Sequence, residues 1–232
     1  MYFCHSDELW RKFPQLVPGV LVVSGVHADA DVSLVPWFDR ARERLKEGPE
    51  SQLPEIVAWR RAYAQMGMKP TQYRSAAEAL LRRLRMEGDL PRLHRLVDLC
   101  NAVSLAFALP VAVFDLGKVD RHLEVRHSKG VEQFLTFSGE IETPPQGEVI
   151  FADASNQAHA RRWTFRQSKR SAVGPGTTRA LIVAEGLHET ASGDVVALLD
   201  ALDEALTKSW AAPQHHVVLS AEAPRLEFDL DL

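Results

Sequence analysis

Cysteine is scarce: Cys4 and Cys100 are the only two in 232 residues. That excludes a disulfide-rich scaffold and points to a reducing compartment. Long apolar runs are missing as well. The longest charge-free stretch, Leu99 to Phe114, counts 16 residues and contains Asn101, Ser104 and Pro110. It falls short of the roughly 20 apolar residues that span a bilayer. The opening MYFCHSDELWRK places acids and Trp10 where a secretory peptide has its apolar core, so no targeting signal is read there. Nor is there an excess of one charge: 27 Lys+Arg against 31 Asp+Glu leave a net charge of −4. Long-range attraction to nucleic acid is then not the dominant property, and any RNA contact has to come from a local patch. These absences describe a soluble, cytoplasmic protein, with no membrane or DNA contact expected.

Familiar reactive motifs are also lacking. There is no Cys-x-x-Cys and no His-Glu-x-x-His, and the pairs Cys4-His5 and His215-His216 are adjacent residues whose side chains rarely converge on one ion. Neither a metal nor another cofactor is expected. Gly174-Pro175-Gly176-Thr177-Thr178 is glycine-rich but has no lysine to meet phosphates, so it reads as a turn. Gly-x-Ser-x-Gly is absent, which counts against an α/β-hydrolase. Cys100 lies on an apolar stripe, where a free cysteine is usually inert packing.

What is present is an average globular composition, 46% hydrophobic and 25% charged, in a chain long enough to bury a core without staples. Gly19 to Val23, bounded by Pro18 and Gly25, reads as a buried strand. Pro36 starts a helix through Leu45, and another runs from Pro54 to Met66 with Gly67 as its cap. Ser75 and Glu78 form a capping box ahead of Leu80, Leu81 and Leu84. From Pro91 to Leu109, the residues Leu93, Leu96, Val97, Cys100, Val103, Ser104 and Phe107 recur at three- and four-residue steps, the mark of a core helix. Pro110 ends it, and Val111–Phe114 follows as a strand. Short alternating stretches then predict strands at Leu123–Arg126, Glu132–Phe137, Glu148–Phe151, Arg161–Phe165 and Leu181–Ala184. A last amphipathic helix spans about Gly193 to Trp210, and the tail after Pro213 is weakly specified. Helices precede strands without a βαβ rhythm, so the fold class is α+β.

Two constellations carry chemistry. Asp98, Asn101 and Ser104 are spaced three apart on the core helix, so their polar side chains lie near one another beside the apolar stripe. They form either a satisfied network tying the helix to a neighbouring strand or a pocket wall, with Asn101 offering both donor and acceptor. The second is Ala160–Arg170, in which Arg161, Arg162, Arg166, Lys169 and Arg170 stand with no acid among them while Trp163 and Phe165 interleave. On a strand, one face packs and the other meets phosphates, or Trp163 offers a stacking platform for a base. The bland alternative is a solvated strand face with scattered cations.

The stretch Ala79–Val119 resembles the B3/B4 editing domain of the bacterial phenylalanyl-tRNA synthetase β chain. The matching positions are Val97, Asp98, Asn101, Val103, Pro110, Phe114 and Asp115; downstream, Glu132 and Ala152-Asp153 fit further steps of the family pattern. The resemblance covers about residues 75 to 185 and implies a PheT/TilS-like fold, a β-sandwich of unusual topology flanked by helices. It divides one domain into a family core over 75–185, an N-terminal extension over 1–74, and a C-terminal helix and tail over 190–232. It also implies a free-standing deacylase that hydrolyses the ester of mischarged tRNA, or a non-catalytic module that keeps the fold and binds tRNA, other RNA or an amino acid. On this reading Asn101, Thr178 and Glu185 form the catalytic set, Asn101 and Thr178 orienting water or ester and Glu185 contacting the amino acid. Asp98, Cys100, Ala112 and Trp163 line the substrate pocket, and Arg161, Arg162, Arg166, Lys169 and Arg170 hold RNA phosphates. Cys100 stands where the family has threonine and Ala112 where it has histidine. The family's pocket glutamate falls on Glu185 or, counted from Thr178, on Ala184.

Overall fold

Six helices and twelve strands, arranged without a βαβ rhythm, make an α+β fold in the computed structural model, which describes residues 1–229. The last three residues of the predicted tail lie outside the described part. In chain order the elements are β1 (Tyr2–His5), α1 (Asp7–Lys12), β2 (Val17–Ser24), α2 (Val35–Lys46), α3 (Pro54–Gln65), α4 (Ala76–Glu87), α5 (Arg95–Phe107), β3 (Val111–Asp115), β4 (His122–His127), β5 (Phe134–Leu135), β6 (Ile141–Glu142), β7 (Val149–Ala152), β8 (Ala158–Arg161), β9 (Arg166–Gln167), β10 (Arg179–Gly186), α6 (Ala191–Ser209), β11 (His215–Val218) and β12 (Arg225–Glu227). None of the described helices is long and apolar enough to cross a membrane.

The strands form a six-stranded sheet ordered β12-β1-β4-β7-β8-β9, a four-stranded sheet ordered β11-β2-β10-β3, and the small β5-β6 hairpin. Alternation along β2 and β10 explains the layers. Val20, Val22, Leu181 and Val183 point into a core shared with Phe3, Val125 and Phe151 of the larger sheet, so the two sheets pack as a sandwich. Leu21, Val23, Ile182 and Ala184 point the other way, into a second core closed by α5 and α6. Behind α5, its residues Ala102 and Leu105 meet α2, α3 and α4 in a third core. The α5 helix is therefore apolar on two sides, which leaves its first turns as the part facing a groove.

Local chemistry sets several boundaries. Ser75 accepts from Glu78 N at 3.2 Å, as the capping pattern predicts. The Glu78 side chain, however, turns to Arg60 at 2.5 and 3.1 Å instead of reaching back to the cap. The tail read as weakly specified contains β11 and β12, which pair with β2 and β1. β1 lies parallel to β4, so the first and last strands both belong to the six-stranded sheet. The predicted strand Arg161–Phe165 is a hairpin tip between β8 and β9: Arg162 and Trp163 adopt φ of 48° and 57°, outside the strand region. The predicted strand Glu132–Phe137 shrinks to β5, because residues 128–132 form a loop around the Glu132 carboxylate.

Close packing of α6 depends on Gly19. A Cβ there would stand 2.6 Å from Val195 Cγ1 and 2.8 Å from Leu199 Cδ1. Gly19→Ala is expected to destabilise the fold by about 1–3 kcal/mol through overpacking, read as a lower urea midpoint with unchanged slope. An unchanged midpoint would show that α6 shifts freely.

Candidate functional site

A groove of about 820 Å³ opens beside the first turns of α5. Its floor is Val111 and Val113 of β3, one wall is Val97, Asp98 and Asn101 of α5, and the loop Ala172–Pro175 closes the other side. The β3 valines face this way because strand alternation sends Ala112 and Phe114 into the sandwich instead. Two exposed apolar side chains, Leu93 at 70% and Phe137 at 64% exposure, stand at its rim. Gln167 lines it while donating Nε2 to Val113 O at 2.5 Å.

The polar trio on α5 separates into different tasks. Ser104 is buried and donates to Leu109 O at 2.5 Å, closing the helix end. Asp98 Oδ1 accepts from Leu93 N at 2.9 Å, pinning the chain that enters α5. Asn101 lines the groove and makes no side-chain hydrogen bond among the described residues, so the trio is not one satisfied network. Sequence reading missed His94. It is the N-cap of α5, accepting from Leu96 N through Nδ1 at 3.2 Å, and it is among the residues that line the groove. Burial holds its pKa below the usual histidine value, against the opposing pull of Asp98. Only cap geometry reveals this role, and histidine is not among the preferred cap residues.

The other predicted site residues lie elsewhere. Glu185 is on the sandwich face of β10, accepting from Trp163 Nε1 at 2.9 Å and paired with His5 Nε2 at 2.7 Å. Trp163 is fully buried, edge-on to Trp59 and Phe13 with ring centroids 5.0 and 4.9 Å away. It therefore offers no stacking platform, because the positive-φ hairpin tip turns it inward. Ala112 faces the same aromatic interior, so a pocket joining Glu185, Ala112 and Asn101 does not form: the four-stranded sheet stands between them. Ala184 packs against the α5–α6 core. Cys100 is buried in that core and burial pushes its thiol up; Cys4 is pushed up to about 12 by the same cause. Neither suits a nucleophile, which needs a thiolate. Thr178 is exposed on the loop before β10, in a second hollow that shares Ala172, Gly174 and Pro175 with the groove.

The basic window splits as well. Arg161 is buried, held by Glu148 at 2.8 Å and by Glu142. Arg166 pairs with Glu142 at 3.2 Å. Arg162 lies 3.6 Å from Glu148 and 4.6 Å over the Tyr73 ring. These three are occupied within the fold. Lys169 and Arg170 have no carboxylate partner among the described residues, and neither do Lys118 and Arg179, which sequence reading left aside. Lys118, Lys169 and Arg170 border one shallow surface hollow, while Lys118 and Arg179 border the hollow next to the groove. A strip of four available cations thus leads to the groove mouth. Of the acids there, Asp115 is occupied by Gly117 N and Thr177 Oγ1, and Asp120 by Ser155 Oγ at 2.5 Å.

One group has metal-ligand composition: Glu55, His188 and Asp194, with atoms within 4.8 Å of one another. Arg44 already donates to Glu55 at 2.6 Å, and His188 and Thr190 bond Asp194 at 2.8 and 2.6 Å. The cluster is a hydrogen-bonded tie between α2, α3 and the start of α6.

The sequence matches the B3/4 domain family over residues 58–195, more than half of the chain. No curated protein matches it. Among solved structures, it is similar to an N-terminal fragment of the phenylalanyl-tRNA synthetase β-subunit from Pyrococcus horikoshii. The identity is 11% and the TM-score 0.47, covering 89% of this chain and 48% of that one. The chain thus spans about half the length of that fragment.

Proposed function

The chain belongs to the B3/4 domain family, and from that premise we propose that its groove binds the aminoacylated 3′ end of a tRNA and hydrolyses the ester. The observation that carries this is the amide of Asn101, unbonded among the described residues, on a mostly apolar groove bordered by Lys118, Lys169, Arg170 and Arg179, cations with no carboxylate partner among the described residues. The sequence resemblance to a synthetase editing domain points the same way. An aminoacyl ester is already activated, so catalysis needs a bound chain end, an oriented water and donors for the developing oxyanion. No dedicated nucleophile is required, in keeping with two thiols that burial keeps protonated. Asn101 orients water or ester, Lys118, Lys169, Arg170 and Arg179 meet phosphates, and Phe137 supplies the exposed aromatic face on which a terminal base stacks.

The test is a panel of mischarged tRNAs incubated with excess protein while ester loss is followed. Hydrolysis of at least one supports the reading. Salt-dependent tRNA binding without hydrolysis of any would replace it with a non-catalytic binding module. Replacing Lys118, Lys169, Arg170 or Arg179 singly by glutamine is expected to lower the slope of log affinity against log salt by roughly 0.7–0.9 each, measured by fluorescence anisotropy. Arg161→Gln is expected to leave that slope unchanged, since its guanidinium is held by Glu148 and Glu142. The opposite ranking would move the RNA surface to the β8–β9 hairpin.

A further inference from the structure

We propose that the groove recognises an unblocked α-aminoacyl group of aliphatic type, with Asp98 Oδ2 taking the free α-ammonium and His94 Nε2–H donating to the acyl carbonyl. This rests on the reading of the groove as an aminoacyl site and names which acyl groups it accepts.

Capping fixes the tautomer of His94. Because Nδ1 accepts from Leu96 N, the proton of the neutral ring sits on Nε2. That Nε2 is buried without an acceptor, in a residue only 8% exposed that lines the groove. A buried donor without a partner is uncommon and calls for a ligand or water acceptor. His94 in this form is a donor and not a base, so it suits a carbonyl oxygen.

Asp98 offers the complementary group. Its Oδ1 is taken by Leu93 N, which orients the carboxylate and leaves Oδ2 without a donor among the described residues. It sits in the first turn of α5, where the exposed backbone N–H groups of a helix start suit an acidic side chain. The nearby Arg92 pairs with Asp89 instead. An acceptor and a donor thus stand together at the start of α5, on residues that line the groove along with Val111 and Val113. Ammonium, carbonyl and aliphatic side chain are the three features of an α-aminoacyl ester that fit those groups.

The probes are the valyl amide of 3′-amino-3′-deoxyadenosine, which cannot hydrolyse as an ester, and its N-acetyl derivative. Calorimetric titration of the full chain is expected to give at least tenfold weaker binding for the N-acetyl form. Asp98→Asn keeps the acceptor for Leu93 N and is expected to bring the two affinities together. His94→Asn keeps a good N-cap and removes the Nε2 donor. It is expected to weaken both probes while preserving their ratio, and the His94 Nε2 resonance of the wild-type protein is expected to move on binding. Equal affinity of the two probes for wild type, or a ratio unaltered in Asp98→Asn, overturns the proposal. Binding with the expected ratio but no hydrolysis of any mischarged tRNA leaves the recognition standing and removes the deacylase reading.

Discussion

Glu185→Ala is expected to destabilise the protein by about 2–6 kcal/mol, because it leaves two buried polar partners unsatisfied at roughly 1–3 kcal/mol each. The carboxylate is 2% exposed and serves two groups at once, His5 Nε2 at 2.7 Å and Trp163 Nε1 at 2.9 Å. Alanine strands both inside an aromatic core where Phe13, Trp59 and Trp163 exclude water. Glu185→Gln retains an oxygen for the indole and is expected to cost less, about 1–2 kcal/mol. Trp163→Phe removes the donor and leaves a void where the larger indole packed, for about 2–3 kcal/mol. Urea unfolding at neutral pH measures all three. A loss below about 1 kcal/mol for alanine, the range of exposed pairs, would show that the pair is readily resolvated. Because Glu185 faces the sandwich while the groove lies across the four-stranded sheet, Glu185→Gln should lower stability and leave groove binding intact. Lost binding at unchanged stability would return Glu185 to the site.

Much of this fold was written in local pattern. The α5 stripe, the Ser75 cap and the β-branched runs of β2 and β10 are dictated by neighbours in the chain, and periodicity reads them directly. β1, β11 and β12 were not legible, because residues such as His215–Val218 carry little pattern and become strands by pairing with distant partners. The site divides along the same line. Asn101 and Asp98 stood out as polar residues on an apolar helix, and the groove contains both. The direction of Trp163 could not be read, since two consecutive positive-φ residues break strand alternation. Nor could the fate of Arg161, because its partner Glu142 arrives from the separate β5–β6 hairpin. Lys118 and Arg179 were invisible as a pair for that reason too: they lie far apart in sequence, and folding brings both to the same hollow.

Acid should reveal a second buried carboxylate, Glu132, which organises the loop between β4 and β5. Burial by itself would raise its pKa. Ser128 Oγ at 2.7 Å, Arg126 Nη1 at 2.5 Å and Lys129 N at 3.1 Å outweigh that and bring it down to about 2. A depressed folded-state pKa means that the ionised form stabilises the fold. The contribution is full above the unfolded value of about 4.3 and is lost as pH falls towards about 2. The gap corresponds to about 3 kcal/mol at neutral pH. Glu132→Gln, which mimics the protonated acid, is expected to be less stable than wild type by about that amount at pH 7. The difference should shrink steadily below pH 4.5 and vanish only below about pH 2, since only there is the wild-type carboxyl mostly neutral too. Other buried acids such as Asp153 titrate in both proteins and cancel in this difference. Urea unfolding of the two proteins at a series of pH values tests it. A difference that stays constant between pH 7 and 2 would mean that shape, and not the charge accepting those donors, holds the loop.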